Sequence, residues 1–331
     1  MTRVQSIPAA QRGGLVPHTA ASSLAIAELV ESARDYADKS QADATRRAYA
    51  SDLRDFVAFC SRQGVAAFPA EPQTVALYVA ELSKRVKVAT IRRRLSAIAV
   101  QHRRAGLDSP ASHRIVRDVV RGVSREFGVA PVRKSAITID ALRALLLTVR
   151  GDDVAARRDR AVLLLGFAAA LRRSEIVALR VEDLRLSKRG LVVHIRRSKT
   201  DQLGEGVELA IPLVETEALC AVRAVRRYLE ASEITSGVAF RSLTSTRNLN
   251  ERPMRGRDVA SLVKRLARRA KLEGNWSGHS LRAGFATSAA AAKVSLDAIA
   301  RTTRHRSLSV LLTYVRPAQA FDDVALSAMI A

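Results

Sequence analysis

Residues 170–180, ALRRSEIVALR, place charged side chains inside a long apolar segment. The surrounding residues 158–180 have the periodicity of a buried helix, and the pattern predicts one continuous helix over this range. Arg172 and Glu175 interrupt its apolar face, where charge is costly unless it is paired or used. Because arginines end many helices without any further role, this stretch alone is a weak signal of function.

Two more segments of the second half carry candidate polar residues. GLVVHIRRSKT, followed by VELAIPL, predicts a β-hairpin with Lys199 at its mouth, although hairpin turns often carry lysine. SGHSLRAG places His279 and Arg282 at i and i+3 on one face of a helix that begins there. Such a His-Arg pair is more often structural than functional when it occurs alone.

The stretch RHRSLSVLLTYVRP, residues 304–317, holds His305 nine residues before Tyr314. Its apolar residues predict a helix that packs on a core, and Tyr314 by itself is equally explained as a core aromatic. Together, however, the four segments supply two arginines, a lysine, two histidines and a tyrosine.

This set suits phosphoryl transfer on a phosphodiester. Guanidinium groups bind nonbridging oxygens and offset transition-state charge, and a lysine can protonate a departing alkoxide. A tyrosine hydroxyl can attack phosphorus and form a covalent ester. No cluster of Asp and Glu has metal-ligand spacing, so we expect neither a metal nor another cofactor.

The charge of the chain predicts a polyanionic partner. The 331 residues include 55 Lys+Arg and 32 Asp+Glu, a net charge of +23. Solubility needs only a few units of charge, so this excess favours nucleic acid. Both halves are basic, with 22 cations against 12 anions up to Lys134 and 33 against 20 after it. Cys60 and Cys220 suggest neither a disulfide framework nor a metal knuckle, and no apolar run reaches membrane-spanning length.

Helical periodicity from Ser22 to about Phe127 predicts an N-terminal helical bundle. In VATIRRRLSAIAVQHRRAG, residues 88–106, the spacing buries Ile91, Leu95, Ile98 and His102 and leaves Arg92, Arg93 and Arg94 on other faces. No acidic residue lies at i+4 from these arginines, so ion pairs within the helix cannot explain them. They form either a solvated surface or a face that grips DNA phosphates.

The sequence thus predicts a mainly α protein of two domains. We expect a flexible tail over residues 1–22, a helical DNA-binding domain over 23–129, a linker over 130–136 and a mixed α/β domain with a small hairpin or sheet over 137–331.

In chain order, the candidate residues resemble the signature of the tyrosine recombinase, or phage integrase, family: Arg172, Lys199, His279, Arg282, His305 and Tyr314. ALRRSEIVALR, SGHSLRAG and LLTYVR are similar to its characteristic boxes. In the first half FPAEP, TIRRRLSAI and HRRAG are similar to a phage-encoded member. The likeness covers about residues 23–330 and implies a SAM-like core-binding bundle followed by a catalytic domain.

The resemblance implies a role for each matched residue. Tyr314 is expected to form a 3′-phosphotyrosyl link to DNA, with Arg172 and Arg282 on the scissile phosphate and Lys199 as general acid for the 5′-oxygen. His279 is expected to assist proton transfer and His305 to hydrogen-bond the phosphate, a position where the phage-encoded member has tryptophan. Glu175 is expected to orient Arg172.

The resemblance also implies partners. Comparison with the phage-encoded member suggests Arg47, Arg54, Arg93 and Arg257 as DNA contacts. The expected assembly is a homotetramer on two double-stranded DNA sites, each with paired inverted half-sites. The apolar segment over 322–330 would dock into a neighbouring protomer, or instead cap the protein's own core.

The resulting hypothesis is a site-specific recombinase that acts without metal or ATP in the cytoplasm, associated with the nucleoid. The alternative is a basic DNA-binding protein that regulates or packages DNA without catalysis. Charge and basic helices fit both, and only the complete polar set separates them.

Overall fold

The computed structural model describes residues 26, 28–33, 35–36, 41–130, 134–198, 201, 205–305 and 307–315, and only the backbone of Leu308 and Val310. The expected tail over 1–22, Lys199 and the expected docking helix over 322–330 lie outside these residues. The chain divides into two compact units, Met1–Pro131 and Val132–Ala331. Within the described ranges, none of the helices has the length and hydropathy of a membrane span.

The first unit is a helical bundle. Residues 28–33 and 35–36 are helical, and the helices with defined bounds are α1 (Asp43–Gln63), α2 (Pro72–Ser83), α3 (Val88–Arg104) and α4 (Arg114–Phe127). The apolar face that the spacing predicted for α3 is buried at all four positions. His102 belongs to this core: its Nε2 accepts from the Ala70 backbone N at 2.9 Å, and its Nδ1 lies 2.8 Å from the Ile98 carbonyl. It is a structural histidine with both ring nitrogens satisfied.

The second unit is helical with two small antiparallel sheets. Its helices are α5 (Ile139–Leu147), α6 (Val154–Ala168), α7 (Arg173–Ala178), α8 (Ala221–Ser232), α9 (Gly256–Arg269), α10 (Ser280–Ala291), α11 (Leu296–Thr303) and α12 (Leu308–Val315). Helix α6 is buried on nearly every face, which agrees with its almost continuous apolar sequence. The prediction of a mainly α protein with a helical first domain and a mixed second domain is confirmed.

The predicted hairpin is present and is larger than expected. Strands β1 (Leu184–Leu186), β2 (Gly190–Ile195) and β3 (Val207–Pro212) form one sheet in the order β1-β2-β3. Strands β4 (Arg241–Leu243) and β5 (Leu249–Pro253) form a separate pair. Sequence reasoning missed β1, β4 and β5 because strands of three to five residues are too short to show alternation.

The prediction of one helix over residues 158–180 is wrong. Helix α6 ends at Ala168, Ala170 adopts the left-handed region with φ 46°, and a new helix begins at Arg173. A left-handed alanine costs free energy and persists only where surrounding contacts hold it. Arg172 and Glu175 therefore lie at the start of a helix and do not interrupt one.

Candidate active site

Glu175 is the carboxylate around which the candidate site is built. It is 4% exposed and lies in the first turn of α7. One of its oxygens, Oε2, accepts from the Arg172 backbone N at 2.8 Å, and Oε1 accepts from Arg172 Nη1 at 2.7 Å. Glu175 therefore accepts a hydrogen bond from a backbone N–H that has no partner within the helix, and it fixes the Arg172 guanidinium in one geometry.

Arg282 is a buried cation in the first turn of α10. It is 1% exposed, and its Nη1 donates to the Ala170 carbonyl at 2.8 Å. Among the described residues its Nη2 has no hydrogen-bond partner. Burial, reinforced by Arg172 and Arg304, lowers the pKa of Arg282 to about 9, so it stays protonated at pH 7. A buried cation with an unpaired donor indicates a place for an anion.

A close backbone approach holds the first turn of α10 in position. The Ile137 backbone N donates to the Ser280 carbonyl at 2.9 Å, and a Cβ on Gly284 would lie 1.7 Å from the Ile137 carbonyl oxygen. Any other residue at 284 would force α10 away from this segment. Glycine at this position therefore helps to place His279 and Arg282.

Arg304 is a site residue that sequence reasoning missed. Its side chain is 7% exposed, and Nη2 donates to Glu175 Oε2 at 2.7 Å. Its Nη1 donates to the Thr302 carbonyl at 2.8 Å and to the Ala169 carbonyl at 3.1 Å. In the sequence nothing except its place beside His305 distinguishes it from the other arginines.

Tyr314 projects from α12 toward two histidines. Its Oη lies 2.7 Å from His279 Nε2, and its ring stacks near that of His305 with centroids 5.8 Å apart. Leu311 and Val315 are buried with residues of α10 and α11, as the apolar run predicted. These apolar contacts hold the helix that presents the tyrosine to the two histidines.

His305 sits in a strongly cationic environment. Its Nδ1 lies 2.8 Å from Thr303 Oγ1. Burial lowers the pKa of His305 to about 4, and Arg282, Arg172, His279 and Arg304 act in the same direction. The imidazole is therefore neutral at pH 7.

The buried charges of the site do not balance. Three arginines, Arg172, Arg282 and Arg304, share one carboxylate, Glu175. Arg304 also has its pKa lowered, by burial first and then by Arg172. An excess of about two positive charges away from water is stable only with an anionic ligand. In the described part of the chain no group of three His, Cys, Asp or Glu side chains is arranged to hold a metal ion.

The structure thus brings five of the six predicted catalytic residues, with Glu175, into one site of the second unit. Lys199 is not described, but the strands on either side of it are: β2 and β3 pair from Gly190↔Pro212 to Ile195↔Val207. Arg196 Nε donates to the buried Asp183 at 2.7 Å, which anchors the end of β2.

The four residues suggested as DNA contacts are all at the surface. Arg47 and Arg54 are exposed on α1, and Arg257 is exposed near the start of α9. Arg93 is half-exposed and donates to Asp52 at 3.0 Å. Its neighbour Arg94 is mostly buried and pairs with Asp55, so α3 is not simply a row of free cations.

Comparison with known proteins identifies the family of this chain. Residues 136–320 match the Phage integrase family, and residues 35–105 match the Phage integrase N-terminal SAM-like domain. The integrase/recombinase XerD homolog of Selenomonas ruminantium is 37% identical over 88% of this chain and 87% of the relative. Recombinase Cre of Escherichia phage P1 is 32% identical over 80% of this chain and 82% of the relative.

Solved structures with under a fifth of their residues identical share the fold. The XerH site-specific recombinase bound to a palindromic difH substrate has a TM-score of 0.62 at 18% identity, covering 86% of this chain and 79% of that chain. A lambda integrase dimer bound to a COC′ core site has a TM-score of 0.59 at 16% identity, covering 87% and 93%. The two family matches, together with the sequence relatives at 37% and 32% identity, show that the chain belongs to the phage integrase family of site-specific tyrosine recombinases.

Proposed function

We propose that this chain cuts and rejoins DNA through a covalent link between Tyr314 and a 3′-phosphate. The observation that carries the proposal is the 2.7 Å contact between Tyr314 Oη and His279 Nε2, in a site whose buried arginines outnumber its carboxylates. The arrangement supplies a nucleophile, a proton acceptor and an anion site within one cluster.

Cleavage exchanges one bond at phosphorus for another. Tyr314 Oη forms a bond to phosphorus while its proton passes to His279 Nε2. The bond from phosphorus to the 5′-oxygen breaks, and the 5′-oxygen takes a proton from Lys199, the role that the family resemblance implies. Because the phosphotyrosyl ester retains the energy of the broken bond, the reverse attack by a 5′-hydroxyl rejoins the strand without ATP.

Charge is the second support for this chemistry. A phosphodiester carries one negative charge, and attack by a phenolate raises this to about two in the five-coordinate transition state. Arg172, Arg282 and Arg304 against Glu175 leave about two positive charges in the site. The site therefore matches the transition state better than the ground state, which is the condition for acceleration.

The test is capture of the covalent intermediate. A nicked duplex from the DNA that flanks the gene, on which a cut strand cannot be rejoined, is incubated with the wild-type protein and with Tyr314→Phe. We expect a denaturation-resistant protein–DNA adduct from wild type and none from Tyr314→Phe, which should still bind the duplex. Tyr49→Phe, in the first unit, is the matched control and should form the adduct. An adduct that persists in Tyr314→Phe would refute the assignment.

The alternative of a non-catalytic DNA-binding protein receives no support from the comparisons. It predicts that wild type binds the same duplex but forms no adduct under any condition, so the capture experiment separates the two functions.

The DNA partner is proposed to carry paired inverted half-sites. XerH is bound to a palindromic substrate and lambda integrase binds its core site as a dimer. Arg47, Arg54, Arg93 and Arg257 are exposed or half-exposed, as phosphate contacts must be. Such a substrate would place the protein at the nucleoid in the cytoplasm.

A homotetramer held by exchange of the 322–330 segment is the proposed assembly. The second unit has a cavity of about 840 Å³ with apolar walls from Leu146, Leu164 and Leu219, and Leu147 beside it is 87% exposed. Arginines line its rim, and the sequence DDVALSAMI pairs an acidic start with apolar residues. The lining also includes two carboxylates, Asp152 and Glu217, against four arginines, so the cavity keeps an excess of positive charge. We commit to this segment of a second copy as the occupant because its apolar residues complement the apolar walls and its two aspartates complement that excess.

Deletion of residues 322–330 tests the docking. The truncated protein should bind a single DNA site normally and fail to form the two-site complex, as measured by sedimentation of the protein–DNA complex. Leu147→Asp should reproduce the defect from the other side of the interface. Full assembly by either variant would count against docking in trans.

A further inference from the structure

Thr303, the last residue of α11, has a buried hydroxyl in contact with the active site. The residue is fully buried, and its Oγ1 lies 2.7 Å from the Ile299 carbonyl oxygen and 2.8 Å from His305 Nδ1. The family resemblance implies a role for His305 and none for Thr303, which lies two residues before it.

These two contacts determine where the protons lie. Two oxygens at 2.7 Å require a hydrogen between them, and the Ile299 carbonyl has none to donate. The single proton of the Thr303 hydroxyl must therefore point at Ile299. Thr303 Oγ1 then presents a lone pair to His305 Nδ1, so Nδ1 carries the ring proton.

The other ring nitrogen of His305, Nε2, is consequently unprotonated. Its Nε2 has no hydrogen-bond partner within the described ranges, and the neutral ring has no second proton to place there. The charged and titratable groups around the ring come from every neighbouring element: Arg172 just before α7, His279 just before α10, Arg282 of α10, Arg304 next to His305 in the chain, and Tyr314 of α12. These cations resist a second proton until an anion enters.

We propose that Thr303 is a positioning residue that holds the ring proton of His305 on Nδ1 and leaves Nε2 unprotonated. Nε2 must then take up one proton before it can donate a hydrogen bond to the DNA phosphate. The inference rests on the proposed function, because it assumes that the site receives a phosphodiester. It deepens the role expected for His305: the histidine becomes a phosphate donor only once the phosphate has arrived.

Phosphate binding adds one proton to the site. That proton comes from solvent and binds Nε2, the Nδ1 proton stays directed at Thr303 Oγ1, and the resulting imidazolium donates to a nonbridging phosphate oxygen. The negative phosphate offsets the repulsion from the arginines and raises the pKa of His305 in the complex. Binding and protonation are then linked, so each favours the other by the same factor.

The first test needs no DNA. Nitrogen-15 NMR of the histidine side chains in the full-length protein distinguishes a protonated Nδ1 from a bare Nε2, with His305→Asn identifying the signal. At pH 7 we expect the Nδ1–H form in wild type and in Thr303→Ser, which keeps the hydroxyl. Thr303→Val, nearly identical in shape, should shift the signal toward the other tautomer or a mixture. An Nε2–H signal in wild type, or an unchanged signal in Thr303→Val, would overturn the proposal.

The second test measures the proton itself. Calorimetric titration with the adduct-forming duplex, in a Tyr314→Phe background that stops chemistry, is repeated at pH 6.5 in two buffers of different ionisation enthalpy. We expect uptake of about one proton in this background alone and with Thr303→Ser added, less with Thr303→Val, and none at this site with His305→Asn. Equal uptake in all variants would refute the linkage.

The two tests also separate failure of this inference from failure of the proposed function. If no duplex forms an adduct, the proposed function is refuted, while the NMR result still decides the tautomer. If the adduct forms and the tautomer is wrong, only the role of Thr303 is lost. Thermal unfolding of Thr303→Val against Thr303→Ser checks that both variants are folded.

Discussion

The two units use arginine in different ways. In the first unit, carboxylates nearly balance a cluster on α1, α2, α3 and the turn after α2: Asp52, Asp55 and Glu81 against Arg62, Arg85, Arg93 and Arg94. In the second unit, one carboxylate serves three arginines that are mostly or fully buried. The first arrangement holds helices together, and the second stores uncompensated positive charge.

This difference shows how the same residue type acquires different functions. Arg94 is paired with Asp55, whereas Arg282 bonds no carboxylate among the described residues and keeps a buried Nη2 without a hydrogen-bond partner. The number of carboxylates within reach, rather than the number of arginines, distinguishes an anion site from a structural ion-pair network.

Arg282→Lys is expected to break the site most severely. Lysine keeps one charge but cannot bond the Ala170 carbonyl and a phosphate oxygen with a planar fork. We expect the single-turnover rate of adduct formation to fall by about 10²- to 10³-fold. Affinity for the duplex should change far less, and a parallel loss of binding and cleavage would argue against a transition-state role.

Arg304→Gly should have the next largest effect. Glycine suits the left-handed backbone at this position, φ 55°, so the fold should tolerate it. Loss of the guanidinium frees the turn before His305 from Glu175, and we expect cleavage about 10-fold or more slower. Arg304→Lys, which keeps the charge, should recover part of the rate. A rate that simply followed the melting temperature across these variants would indicate a purely structural role.

Arg94→Gln should have the opposite profile to Arg282→Lys: it should lower the free energy of unfolding and leave the rate of cleavage unchanged. Arg94 donates to Tyr78 Oη at 2.9 Å and pairs with Asp55, whose pKa Arg85, Tyr78 and Arg94 hold well below its usual range. We expect a loss of about 1–3 kcal/mol in the free energy of unfolding at pH 7. Because Asp55 must be ionised to pair and its pKa is lowered in the folded protein, the loss should shrink progressively as pH falls from about 4 toward that lowered pKa, and chemical denaturation at pH 7 and pH 2 measures the difference. An equal loss at both pH values would contradict the pairing.

Replacement of the surface arginines should have the smallest effects. Arg47→Ala, Arg54→Ala, Arg93→Ala and Arg257→Ala should each weaken duplex binding moderately and reduce the slope of log affinity against log salt by about 1. Arg301→Ala, an exposed arginine paired to Asp297, serves as the control and should leave the slope unchanged. An unaltered slope in any of the four would remove that residue from the DNA contacts.

Much of the fold follows from local patterns. Amphipathic spacing predicted the buried face of α3, and the apolar run of residues 304–317 predicted that α12 packs on a core. A local contact also starts α5, where Thr138 Oγ1 accepts from the Ala141 backbone N. These features depend on residues three or four positions apart, which the sequence displays directly.

The errors occur where distant segments control the backbone. The break at Ala170 depends on Arg282 and Arg304, more than a hundred residues later, which donate to the carbonyls of Ala169 and Ala170. No local pattern marks such a turn, so the apolar run with helical spacing predicts a helix that continues through it.

The sequence by itself determined which groups are available for chemistry: Arg172, His279, Arg282, His305 and Tyr314 in a recognisable order. Only the tertiary structure decided how they act together. It placed Arg304 on Glu175, left the buried charge unbalanced and set the Thr303 hydroxyl oxygen against His305 Nδ1. The physical reason is that electrostatics and proton positions depend on distance and burial, and these arise only when segments far apart in the chain pack together.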